Sequence, residues 1–225
     1  MPEFDWSSIP GALPFLWQGM KLSLQITLIA VAAGMVWGTL LALLRLSGVR
    51  ALSIFAGGYV SLFRSVPLVM VLLWFFLIVP QLLRALLGLG SNTDTRVASA
   101  MVGFSLFEAA YYAEIMRAGI QSVSGGQVAA AQALGMTFAQ TMRYVVLPQA
   151  FRNMVPLLLT QAIILFQDTS LVYVSALSDF FGNAYRVGDR DGRIAELLLF
   201  AGAVYFVLCF GASWIVRRFE KRIAV

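Results

Sequence analysis

The sequence predicts an all-α integral membrane protein, and three observations carry that prediction. Of 225 residues, 60% are hydrophobic and only 12% charged. Mean hydropathy is +0.83. The apolar residues fall in runs of about 20, the length a helix needs to cross a bilayer. A soluble globular chain carries about twice this share of charge, so that class is excluded. Helices are required because a lone strand leaves its backbone unsatisfied in lipid, and the runs lack the alternation of barrel strands.

Residues 1–18 read as an interfacial lead-in. Trp6, Phe15 and Trp17 suit headgroup depth, with Pro10 and Pro14 among them, and a mobile terminus is the alternative. Glu3 and Asp5 stand where a cleaved signal has its basic region, so the first span is expected to stay. About five spans follow, at 20–44, 61–83, 97–116, 153–174 and 194–216. In the first, Gly34 and Gly38 form a Gly-x-x-x-Gly pattern that lets helix backbones approach, either within the chain or between subunits. Arg64 and Pro67 open the second, where proline suits the first turn. Arg64 is expected to be structural, and Arg84 to reach for headgroups.

The third span carries Glu108, about 17 Å along the helix and so near mid-depth. A charge there costs about 2.5 to 3.5 kcal/mol on insertion scales, so it faces a cavity or a partner. Tyr111, Tyr112 and Ile115 follow at i+3, i+4 and i+7 on the same face. That stripe suits a substrate's α-ammonium group; a protonated or arginine-paired carboxyl is the alternative. In the fourth span Asp168, Thr169 and Ser170 interrupt an apolar run. The interruption predicts a broken helix lining a cavity, or Asp168 capping the next short helix. The fifth holds Cys209, expected to be a packing residue. One Cys and no His give no disulfide framework and no metal site.

Between the third and fourth spans lies a segment of intermediate polarity, 118–152. Its core is Gly125-Gly126-Gln127-Val128-Ala129-Ala130-Ala131-Gln132-Ala133-Leu134-Gly135, followed after eleven residues by Leu147-Pro148-Gln149-Ala150. Alanine favours helix, Gly135 is a stop, and Pro148 suits the first turn of the next element. A short helix over 129–141 at the membrane face is predicted, and such a loop is normally there to touch something. Arg45, Arg50, Arg64, Arg117, Arg143, Arg152, Arg217, Arg218, Lys221 and Arg222 cluster beside this loop, the first connector and the C-terminus. The connector from 168 to 193 instead mixes four Asp with three Arg. The positive-inside rule therefore puts the N-terminus outside, and the loop and C-terminus inside.

The net charge of +5 is spread along a membrane surface, without the aromatic-basic platform of a nucleic-acid binder. There is no Gly-x-x-x-x-Gly-Lys-Ser/Thr to cradle a nucleotide, and no His or Gly-x-Ser-x-Gly for a hydrolase. No cofactor is expected, and chemistry, if any, is done by a partner.

The spacing of Ala129-Ala130-Ala131, Gly135 and Leu147-Pro148 resembles the EAA loop of ABC-importer permeases. Residues 107–120 and 166–171, with Arg64-Ser65-Val66-Pro67, look like its polar amino-acid branch. Residues 163–173 and 189–192 most resemble glutamate and aspartate permeases. The resemblance spans about 19–222 and implies the type I importer fold, with a transmembrane permease domain over 19–225. It implies ATPase docking through Ala129, Ala130, Ala131, Leu134, Gly135 and Pro148. Glu108, Tyr111, Tyr112, Asp168, Thr169 and Ser170 are the expected substrate pathway. The implied partners are a cytoplasmic ABC ATPase dimer, a second, related permease, a periplasmic amino-acid-binding protein and membrane lipid. One departure is that Ala129 stands where the motif has glutamate. Two rival classes are an ion-coupled secondary transporter, testable by uptake without ATP, and a non-transporting scaffold, which tolerates Glu108→Ala and Asp168→Ala.

Overall fold

A computed structural model describes residues 5–88, 90 and 93–223. Glu3 and the Arg222 side chain, counted above in the charge asymmetry, lie outside the described residues. Among the described residues the secondary structure is helical throughout. Four stretches are long and apolar enough to cross a membrane: Ser8–Leu46, Leu68–Leu87, Phe138–Ser175 and Ile194–Lys221. The expected third span lies in a helix that is long enough, Arg96–Gln121, but not among these four, because Glu108, Glu114 and Arg117 make it too polar.

Helix α1 (Ser8–Leu46) is 39 residues, about 58 Å at 1.5 Å per residue, nearly twice the hydrocarbon thickness. It takes up the lead-in from Ser8 onward, with Pro14 inside it. It ends where Ser47 Oγ donates to the Leu44 carbonyl at 2.8 Å and Gly48 turns to φ 74°.

The expected span 61–83 is not one helix. α2 (Arg50–Ser65) stops, Val66 is extended at φ −110°, ψ 135°, and α3 (Leu68–Leu87) starts after Pro67. A residue before proline is excluded from the helical region, and Pro67 has no N–H to continue the ladder. α3 closes at Gly88, φ 63°. The α4 helix (Arg96–Gln121) begins where the Asp94 carboxylate accepts the Arg96 N–H at 3.0 Å. The Arg96 side chain, at 2.7 Å, holds the Asp94 carboxyl down to about 2.

At the centre of the molecule α4 packs on α1. Ala109, Ala110 and Ala113 are buried along α4, opposite the small residues of α1. A Cβ on Gly34 would sit 3.1 Å from Glu108 Cβ, and one on Gly38 only 2.8 Å from Tyr112 Cβ. The two glycines thus admit α4 within the same chain. The core continues through Ile26, Leu72, Phe104, Phe107, Leu165 and Val172.

After α5 (Gly125–Ala133), α6 (Phe138–Thr141) and a wide turn, α7 (Leu147–Asp168) returns through the layer. The predicted break at Asp168 is a tightening instead. The chain passes directly into a 3₁₀ turn, Thr169–Ser175, and reverses only at Ala176, φ 55°. Asp168 makes no side-chain cap to that turn. Thr169 donates to the Phe166 carbonyl at 2.7 Å, which keeps the segment wound.

The connector 168–193 also contains α8 (Phe180–Asp191), which was not legible as an element. Asp179 caps it, accepting the Phe181 and Gly182 N–H groups at 3.0 Å each. Gly19 lets this cap lie against α1: a Cβ there would be 2.5 Å from the Asp179 carbonyl. Asn183 donates to the Phe15 carbonyl at 2.8 Å. Finally α9 (Ile194–Ile223) covers α7 and α8, and Arg193 at its start pairs with Asp5 and donates to Ser8 at 2.9 Å. The first described residues are thereby tied to the start of α9.

Candidate functional site

The break between α2 and α3 leaves a cleft of about 420 Å³, walled by Arg64 to Leu68, by Phe107 and Tyr111 of α4, and by Gln161, Ile164 and Asp168 of α7. Each wall follows from helical spacing: Phe107 and Tyr111 are four apart, and Gln161, Ile164 and Asp168 stand at i, i+3 and i+7. The guanidinium of Arg64 lies 5.6 Å from the Tyr111 ring centroid. Behind the wall, Glu108 is fully buried and accepts from Gln161 Nε2 at 3.1 and 3.3 Å. The cleft thus offers a cation, a phenol, an amide and a carboxylate, with a second carboxylate behind the amide. Such a set can hold a zwitterion, opposite charges facing opposite ends.

The six pathway residues of the sequence reading do not share one surface. Tyr111 and Asp168 line the cleft, and Glu108 reaches it through Gln161. Tyr112 points the other way, packed on Gly34 and Gly38, its hydroxyl buried with no partner among the described residues. Thr169 is buried. Ser170 and Gln167 face a separate groove of about 530 Å³ beside α9. Adjacent residues on a helix are 100° apart, so a run of polar residues cannot all look into one cavity. Arg64, expected to be structural, lines the cleft, whereas Arg84 does not. Gln161 was missed; the available signal was an amide within the apolar run 155–166, seven residues before Asp168.

The loop 118–152 forms two helices, not one over 129–141. α5 ends in a Schellman closure, with Met136 N–H to the Ala131 carbonyl at 3.1 Å and Gly135 N–H to the Gln132 carbonyl at 2.9 Å. That closure needs a left-handed residue, and Gly135 supplies it at φ 80°. Thr137 and Gln140 then form a capping box that starts α6. Pro148 lies in the first turn of α7, as expected, although α7 continues from the helical turns before it. The path from Phe138 to Asp168 is continuous, widened at Met142–Val146 into a π-type turn in which Leu147 N–H bonds to the Met142 carbonyl. A proline ring clashes with the carbonyl four residues back, and the extra residue in the turn accommodates it. Ala129, Ala130, Leu134, Gly135 and Pro148 are exposed, while Ala131 is buried.

The family model of the binding-protein-dependent transport system inner membrane component matches residues 34–225. The chain belongs to this family. Among curated relatives of this inner membrane component, the glutamate/aspartate import permease protein GltK of Escherichia coli O6:H1 is 59% identical over 224 residues, covering 100% of both chains. The arginine transport system permease protein ArtQ of Bacillus subtilis is 34% identical, covering 98% of both. A crystal structure of an amino acid ABC transporter with histidines superposes with a TM-score of 0.87 at 31% identity, over 98% of this chain and 99% of that one. The MetNI methionine transporter, at 18% identity and a TM-score of 0.69, shares the fold. The inner membrane component is therefore a multi-pass transport subunit of an ABC importer, and the catalysis of ATP hydrolysis lies elsewhere.

Proposed function

We propose that this chain is a permease subunit that passes glutamate and aspartate across the inner membrane through the cleft between the α2–α3 break, α4 and α7. The observation that carries the reading is Arg64 facing Tyr111, Gln161 and Asp168 in one cleft. Arg64 is the cation among its lining residues and suits a substrate carboxylate, while Asp168 suits the α-ammonium. The Gln161–Glu108 pair fixes the amide that reads the remaining polar group. The high identity to a glutamate/aspartate permease supports the same cargo.

In this reading α1, α3, α4, α7 and α9 cross the bilayer, with the N-terminus periplasmic and the C-terminus and 118–152 cytoplasmic. α4 can cross despite its charges because they face neighbouring helices. Glu108 meets Gln161 of α7, and Glu114 pairs with Arg45 of α1 at 2.7 Å. The segment over Ala129, Ala130, Ala131, Leu134, Gly135 and Pro148 docks on a cytoplasmic ABC ATPase. A second, related permease completes the walls, and a periplasmic binding protein delivers cargo.

The test is the complex purified in nanodiscs with its ATPase. Binding protein loaded with glutamate stimulates ATP hydrolysis, and Arg64→Gln abolishes glutamate transport while leaving assembly intact. Transport of glutamate by Arg64→Gln at the unmodified rate refutes the assignment of the cleft. Gly135→Trp releases the ATPase without removing the chain from the membrane; unchanged copurification refutes the docking segment.

A further inference from the structure

The loop read as the docking segment leaves large apolar side chains uncovered by the chain itself. Leu134 is 82% exposed, Phe138 74%, Tyr144 63% and Phe151 60%. Leu134 closes α5 and Phe138 opens α6, so the reversal at Gly135 sets them on either side of one tight turn. Clustered exposed apolar groups of this size mark an interaction surface. Their charge surroundings are one-sided: the sequence has no Asp or Glu from 118 to 167, but has Arg143 and Arg152. The Arg143 guanidinium lies 5.6 Å from the Tyr144 ring, so cation and aromatic ring stand together beside the knob. Ala129, exposed on α5, brings no carboxylate to the contact either.

We infer that this chain grips its ATPase through an apolar knob, Leu134 and Phe138, seated in an apolar groove whose rim carries carboxylates facing Arg143 and Arg152. This rests on the docking reading above and specifies its chemistry. A desolvated aromatic anchor at the centre of a contact dominates binding, while rim charges contribute little and are screened by salt. The contact therefore tolerates salt, unlike one built on a permease carboxylate. Phe138 is the anchor, outside the set of docking residues taken from the sequence. It is mostly exposed, so truncating it removes little of the chain's own packing.

The experiment strips the ATPase from the purified complex in nanodiscs and measures its rebinding to variant chains, with restored ATP hydrolysis confirming its identity. Phe138→Ala is expected to weaken rebinding at least about 30-fold, the loss typical of an anchor. Phe138→Leu restores most of it, and Arg143→Gln costs only about two- to five-fold. Between 0.1 and 0.5 M NaCl the affinity of the unmodified chain changes by less than about three-fold. A ten-fold fall with salt, together with full rebinding by Phe138→Ala, overturns the apolar contact while leaving the docking reading in place. Rebinding unaffected by Phe138→Ala, Leu134→Ala and Gly135→Trp together shows that the ATPase docks elsewhere, and both readings fail. Loss of affinity for anionic vesicles by Phe138→Ala, with ATPase rebinding unchanged, assigns the knob to the lipid surface and overturns the proposal.

Discussion

Replacing Gly38 with alanine tests how closely α1 and α4 are fitted. The added Cβ lies 2.8 Å from Tyr112 Cβ, 2.9 Å from the Ala109 carbonyl oxygen and 3.0 Å from the Ala113 nitrogen. Ordinary contact begins at 3.4 Å, so the nearest pair must part by 3.4 − 2.8 = 0.6 Å. Two of the three atoms are backbone, so no side-chain rotation relieves the clash and the helices themselves separate. Overpacking of this kind costs about 1–3 kcal/mol, and alanine returns up to about 1 kcal/mol of helix propensity. Gly202→Ala in α9 is the control, since a Cβ there meets nothing within 4 Å and only the propensity gain remains. The difference between the two variants isolates the steric cost. At roughly 2–4 °C per kcal/mol for a chain of this size, Gly38→Ala melts about 2–12 °C below Gly202→Ala in nanodiscs. Because Glu108 rides on α4, glutamate transport falls as well. Equal melting temperatures for the two variants refute the packing argument.

Three further outcomes are expected. Gln161→Leu removes the amide donor from the fully buried Glu108, which costs about 1–3 kcal/mol or more and lowers transport; thermal melts and uptake by the same variant check both effects. Gly135→Ala forces a left-handed residue to carry a Cβ at φ 80° and costs about 1–2 kcal/mol locally, partly recovered by Gly135→Asn, read as the rate of proteolysis within 118–152. The Asp94 carboxyl, held down to about 2 by Arg96, stabilises the start of α4 above its unfolded value near 4, and that contribution is lost as pH falls from about 4 through about 2. Melts at pH 6 and pH 3 differ less in Asp94→Asn than in the unmodified chain, and an unchanged difference removes the Asp94 contribution.

The all-helical class, the membrane and the family's loop were legible in the sequence by itself. Each depends on properties local to a segment: apolar length, loop charge, and the spacing of Ala129, Gly135 and Pro148. Even the break at Val66–Pro67 was available, since proline restricts its predecessor whatever surrounds it, but the apolar run through it read as one span. What only the tertiary structure decided is which side of each helix meets which neighbour. It turned Tyr112 to the glycines of α1 and Tyr111 to the cleft, split Asp168 from Ser170, brought Gln161 to Glu108 and Arg64 to Tyr111, and left Phe138 uncovered by the chain itself. Helical periodicity says which residues share a face, while the partner of that face is set by how closely helices can approach. Here that is fixed by the missing side chains of Gly19, Gly34 and Gly38, whose effect exists only across the gap they leave.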